Sequence, residues 1–211
     1  MKKVLFLEDR PARQKESLPN KEADVIVLRE MNGLHMPEVS DCKAIINNIN
    51  EGVNVIGDVV HLIIIHESTL TPVGLNYLDK LCKERSIDLI LFSGGIGQMT
   101  ISDFGYKMVY LNVADLYTDR LIPFLKSYTE GNVAHILELI NSRWKVSYLL
   151  LLRQLLSTKS IEERAKVKDI DRILMLEGKI SKICSILQGI GVDEKSNIDS
   201  VTKRIRIELD K

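Results

Sequence analysis

The sequence predicts an α/β fold: a five-stranded, parallel, doubly wound sheet over residues 1–130, followed by an α-helical extension over 131–211. Three observations predict it. Five short apolar runs lack strict alternation, the pattern of strands covered on both faces. The stretches between them carry apolar residues at helical spacing. Beyond Gly131 the short runs stop and long helical stripes begin.

The runs are VLFL at 4–7, VIVL at 25–28, LIII at 62–65, LILF at 89–92 and MVYL at 108–111. Helices are expected over 11–18, 41–51, 72–84 and 114–128. Pro11 and Pro72 stand where a helix can begin, because the first turn does not need their missing N–H. Ala44, Ile45 and Ile49, and then Leu75, Leu78 and Leu81, recur at helical spacing. Alternation of this kind implies right-handed crossovers between parallel strands. Residues 93–107 carry no amphipathic pattern, so a loop or a single turn is expected where a fourth crossover helix would lie.

In the second half, Val133, Ile136, Leu137, Ile140 and Trp144 form a helical stripe that runs on through Leu151, Leu152 and Leu155. A second stripe contains Ile170, Ile173, Leu174, Ile180, Ile183 and Leu187. Ser160 and Glu163 have capping-box spacing at the turn between them, which suggests an antiparallel hairpin. A last helix is expected over 199–209. One small sheet face cannot cover so many apolar positions. Ile136, Leu137, Ile140, Trp144, Leu151, Leu155, Ile173, Ile180 and Ile183 are therefore read as an interface with a protein partner or a second copy.

The bulk numbers narrow the function. Of 211 residues 45% are apolar, enough for a real core. The 29 basic residues are balanced by 29 acidic ones, so nothing draws the whole chain to nucleic acid or to an anionic membrane. Three scattered cysteines, Cys42, Cys82 and Cys184, fit neither a disulfide framework nor a zinc site. No stretch reads as a signal peptide or a membrane span, and a soluble cytoplasmic protein is expected.

The first candidate site is the acidic pair Glu8–Asp9 after the first run. Ligands of open parallel sheets sit beyond the carboxyl ends of the strands, and two adjacent carboxylates there can hold Mg²⁺. The second is the loop Ser93-Gly94-Gly95-Ile96-Gly97, whose amides could turn inward on a phosphate. It is neither a Walker loop nor a dinucleotide fingerprint. No Ser/His/Asp constellation with a nucleophile elbow stands out.

A strand that ends in two acids, with a proline one residue further on, resembles the opening of response-regulator receiver domains. The stretch HLIIIH at 61–66 is similar to the strand that ends in the phosphorylated aspartate, but holds His66 in that place. Ser93 matches the family's hydroxyl residue. Asn112 or Val113 stands where the resemblance implies a lysine. The similarity spans residues 2–128 and implies a flavodoxin-like strand order of 2-1-3-4-5. Phosphoryl transfer to a receiver needs a carboxylate nucleophile, a metal and a neutralising cation. Glu67 points to the opposite face and is a poor substitute. The resemblance thus implies a pseudo-receiver with no required cofactor and Mg²⁺ optional.

Two functions are expected from these readings. The first is a non-catalytic regulatory or adaptor protein that assembles through its C-terminal helices. The alternative is a Mg²⁺-dependent phosphate- or nucleotide-binding domain, or a phosphoester hydrolase, using Glu8, Asp9, Ser93 and the loop from Gly94 to Gly97. DNA binding is a distant third, because neighbouring acids match the basic residues of the helical half.

Overall fold

A computed structural model describes residues 1–96, 100–103, 107–133 and 136–139, together with 178 and 181. The described elements are β1 (Val4–Leu7), α1 (Pro11–Ser17), α2 (Glu22–Glu30), β2 (Leu34–His35), α3 (Val39–Asn50), β3 (Leu62–His66), α4 (Pro72–Arg85), β4 (Asp88–Ser93), β5 (Thr100–Asp103), β6 (Lys107–Asn112), α5 (Val113–Leu116) and α6 (Leu121–Glu130). Short 3-10 turns occupy Glu67–Thr69 and Ile136–Leu139.

The strands lie in the order β2-β1-β3-β4-β6-β5. The first five in that order are all parallel, which is the 2-1-3-4-5 sheet expected from the sequence. Period-two alternation sorts their side chains onto two faces. Leu5, Leu7, Ile63, Ile65, Leu89 and Leu91 pack against Cys42, Ile46 and Ile49 of α3 and Leu78, Leu81 and Cys82 of α4. The opposite face carries Phe6, His66 and Phe92. There Tyr117, just after α5, stacks on Phe6 at 6.3 Å between ring centroids and meets Phe92 edge-on at 5.9 Å.

Two local expectations are corrected. The run at 25–28 is not a strand but lies within α2. Only Asp24 and Leu28 of that helix are buried, one turn apart, while Ile26 and Val27 face outward. Four consecutive apolar residues do not reveal their period. The second strand is instead the short Leu34–His35, which pairs with Val4 and Leu5. Gly33 leads into it at φ +86°, a conformation that suits glycine. The second correction lies between Ser93 and Lys107. No helix is described there, as expected, but β5 runs antiparallel to β6 and forms the sheet edge.

The chain divides into two units, Met1–Ile140 and Asn141–Lys211. The first reaches past the boundary expected at 130, because the turn Ile136–Leu139 packs on α6 and β6. Ile136, assigned above to an interface, is therefore a buried position, as are Val133 and Leu139. The side chain of Leu137 lies outside the described residues, as do Ile140, Trp144, Leu151, Leu155, Ile173, Ile180, Ile183 and the expected helical hairpin. Among the described residues, no helix is long and apolar enough to cross a membrane.

Candidate functional site

β1 and β3 are parallel neighbours, with Phe6 paired to Ile64 and Leu7 to Ile65. The chain leaving β1 thus sets Glu8 and Asp9 beside His66, at the carboxyl end of the sheet. Glu8 continues the face of Phe6, and His66 stacks on Phe92 at 5.5 Å. Both are deeply buried: Glu8 is 6% exposed and His66 1%.

Burial of a carboxylate requires compensation. Arg13, in the first turn of α1, supplies it. Its Nη2 donates to Glu8 Oε1 at 2.7 Å and to Oε2 at 3.0 Å. The Arg10 amide donates to Oε1 at 2.8 Å, and the Tyr117 hydroxyl donates to Oε2 at 2.5 Å. Burial, and then the negative charge of Glu8, push the Tyr117 phenol well above its ordinary range, so it stays a proton donor. The guanidinium of Arg13 also lies 5.5 Å from the centre of the Phe92 ring.

His66 is held from both ends. Its Nδ1 lies 2.7 Å from Asp9 Oδ1. Its Nε2 lies 3.1 Å from Arg13 Nη1 and 2.7 Å from Ser68 Oγ. A guanidinium can only donate, so Nε2 must be the acceptor nitrogen. The imidazole proton then sits on Nδ1 and is donated to Asp9. Ser68 Oγ is 3.2 Å from Ser93 Oγ, which accepts from the Gly95 amide at 3.3 Å.

The turn that carries Ser68 is fixed from outside. Thr69 Oγ1 donates to the His66 carbonyl at 2.6 Å. Asn50, the last residue of α3, donates from Nδ2 to the Thr69 carbonyl at 2.9 Å. Its Oδ1 accepts from the Thr71 amide at 2.8 Å. This clamp ties α3, the turn and the start of α4 into one corner.

The structure gathers Glu8, Asp9, His66 and Ser93 into one site, as their positions in the sequence implied. Gly94 and Gly95 form the turn after Ser93, while Gly97 lies outside the described residues. Gly94 and Ile96 direct their carbonyls at Asn112, whose Nδ2 donates to them at 3.4 and 2.8 Å. Asn112 Oδ1 accepts from the Ala114 amide at 2.9 Å and caps α5. Asn112 is therefore spent on the loop, and the cation paired with Glu8 is Arg13.

Three participants were not anticipated. Arg13 and Tyr117 have no distinguishing neighbours in sequence. Ser68 does: it follows His66 by two positions just past a strand end, where a tight turn can fold it back. Asp9, His66 and Ser68 meet as a Ser/His/Asp set without a nucleophile elbow, an arrangement the sequence reading did not look for.

Oxygen and nitrogen atoms of Glu8, Asp9 and His66 lie within 4.8 Å of one another, a spacing a cation could bridge. The bonding already present does not fit one. Both Glu8 oxygens are engaged by Arg13, Arg10 and Tyr117, and Nδ1 of His66 carries a proton. A divalent ion would have to displace Arg13 and sit beside its charge.

Compared with protein-family models, curated proteins and solved structures, the chain finds no match.

Proposed function

We propose that this is a regulatory or adaptor protein: a pseudo-receiver unit that has given up aspartyl phosphorylation, joined to a helical extension that engages a partner or a second copy. The observation that carries this reading is the Glu8–Arg13 ion pair beneath His66. An internal cation fills the role that a metal and a lysine would share in a phosphorylatable site, and an imidazole takes the acceptor's place. The site is held in one state by its own bonds. The apolar stripes of the sequence beyond residue 140 support the assembly role, since long apolar stripes are seldom left bare.

The test is mass spectrometry of the full chain after incubation with acetyl phosphate or phosphoramidate and Mg²⁺. No phosphoryl adduct is expected. A stable adduct on His66 or Glu67 would overturn the reading. Light scattering of the full chain should detect self-association or, on co-purification from the native host, a stoichiometric protein partner. A strictly monomeric chain with neither removes the assembly half of the proposal.

A further inference from the structure

We infer that Ser68 is a reactive nucleophile, activated by His66 and Asp9, that takes an acyl group from an activated ester. The inference uses the same site as the regulatory reading and goes beyond it: it concerns a covalent chemistry of serine, not of phosphate on a carboxylate.

The geometry has the parts that activate a serine. Asp9 accepts from His66 Nδ1 at 2.7 Å and so holds the proton on that nitrogen. The lone pair of Nε2 is shared by two donors, Ser68 Oγ at 2.7 Å and Arg13 Nη1 at 3.1 Å, and the shorter contact is to the hydroxyl. His66 is almost fully buried between Phe92 and the strand end, which fixes its ring plane, whereas Ser68 is exposed on its turn. A buried base behind an accessible hydroxyl is the arrangement a reagent from solvent can use. The Asn50–Thr69 clamp keeps the turn in place without touching the hydroxyl.

The anion that develops on an attacked carbonyl needs donors. Arg13 Nη1 approaches the same Nε2 as Ser68, at 3.1 Å, and brings a guanidinium to the reacting edge. Its pairing with Glu8 limits the repulsion when His66 becomes an imidazolium. Ser93 Oγ, 3.2 Å from Ser68 Oγ, supplies a second hydroxyl.

The step balances without any further reactant. Ser68 Oγ bonds to the acyl carbon, and the bond from that carbon to the leaving oxygen breaks. The serine proton passes to His66 Nε2 and then to the leaving oxygen, which departs as an alcohol. The product is an O-acyl serine. The substrate class is an activated ester, whose carbonyl oxygen suits the guanidinium and hydroxyl donors beside Ser68.

The experiment treats the full chain with a fluorophosphonate probe and, separately, with p-nitrophenyl acetate, and maps the adducts by peptide mass spectrometry. The expected result is one label per chain, on Ser68, with a matching burst of p-nitrophenolate. Ser40, an exposed serine with no histidine partner, is the internal control. Ser68→Ala should abolish the label. His66→Gln and Asp9→Asn should each slow it by about 10²–10⁴-fold, the range for loss of general-base assistance. Thermal melts establish which variants are folded. If His66→Gln does not fold, Asp9→Asn and Ser68→Ala decide the matter. Labelling of Ser68 no faster than Ser40, or labelling unaffected by the folded His66 or Asp9 variant, would overturn the inference. That outcome leaves the regulatory reading standing, whereas a phosphoryl adduct on His66 or Glu67 defeats the regulatory reading whatever Ser68 does.

Discussion

At the residue scale the site turns on Glu8. Its carboxylate is buried and its oxygens are spent on Arg13, Arg10 and Tyr117. Tyr117→Phe leaves one carboxylate oxygen short of a donor and is expected to cost about 1–3 kcal/mol by urea unfolding. Arg13→Met strands a buried charge and should cost about 3–5 kcal/mol. Adding Glu8→Leu to that variant should recover much of the loss, and a double-mutant cycle measures the coupling. Arg13→Met should also gain a Mg²⁺-dependent rise in melting temperature that the native chain lacks, because only then are the acidic oxygens open to a cation.

At the element scale, α3 and α4 are joined at a close approach. A Cβ on Gly74 would fall 2.2 Å from Asn50 Oδ1 and 3.1 Å from Asn50 Cα. Gly74→Ala must therefore push the two helices apart, at a cost of about 1–3 kcal/mol. It should also loosen the turn of Ser68, detectable as faster amide exchange at Thr71. The same two helices carry the buried thiols. Burial pushes Cys42 and Cys82 from an ordinary 9.0 up to about 12, with the nearby Asp9 and Glu8 adding to Cys42. The unfolded chain loses these protons first, so ν_U falls below ν_N and stability declines as pH rises from about 9 towards 12. Below 9 the contribution is fully present. Urea unfolding of the native chain and of the Cys42→Ala/Cys82→Ala variant should diverge in slope only across that alkaline window.

At the scale of the whole molecule, the Met1–Ile140 unit ends where its packing ends. Val133, Ile136 and Leu139 are 3%, 1% and 0% exposed, and each fully buried side chain contributes about 1.5–3 kcal/mol as an upper bound. A chain truncated after Ile140 is expected to melt cooperatively, followed by circular dichroism. One truncated after Glu130 should melt lower or not fold. The boundary at Gly131 is visible in sequence because α6 does end there, with Gly131 at φ +85°. The return of Ile136 to the sheet is not visible, because an apolar residue in a helical stripe gives no sign of which surface it will meet.

What the sequence determined by itself is the parallel sheet and its carboxyl-end site. The runs at 4–7, 62–65 and 89–92 bury both faces, that at 108–111 fully buries only the face of Val109 and Leu111, and parallel connection then delivers Glu8, Asp9, His66 and Ser93 to one edge. Such placement depends on local pattern and on the few connections a chain can make. The run at 25–28 was misread for the converse reason: four residues without a period do not separate helix from strand. Only the tertiary structure decided the chemistry of the site. Arg13, Tyr117 and Ser68 arrive from α1, from beyond α5 and from a 3-10 turn, at positions fixed by packing rather than spacing. Hydrogen-bond direction is a property of those meetings: Arg13 can only donate, so His66 must accept on Nε2, and the same nitrogen turns towards Ser68.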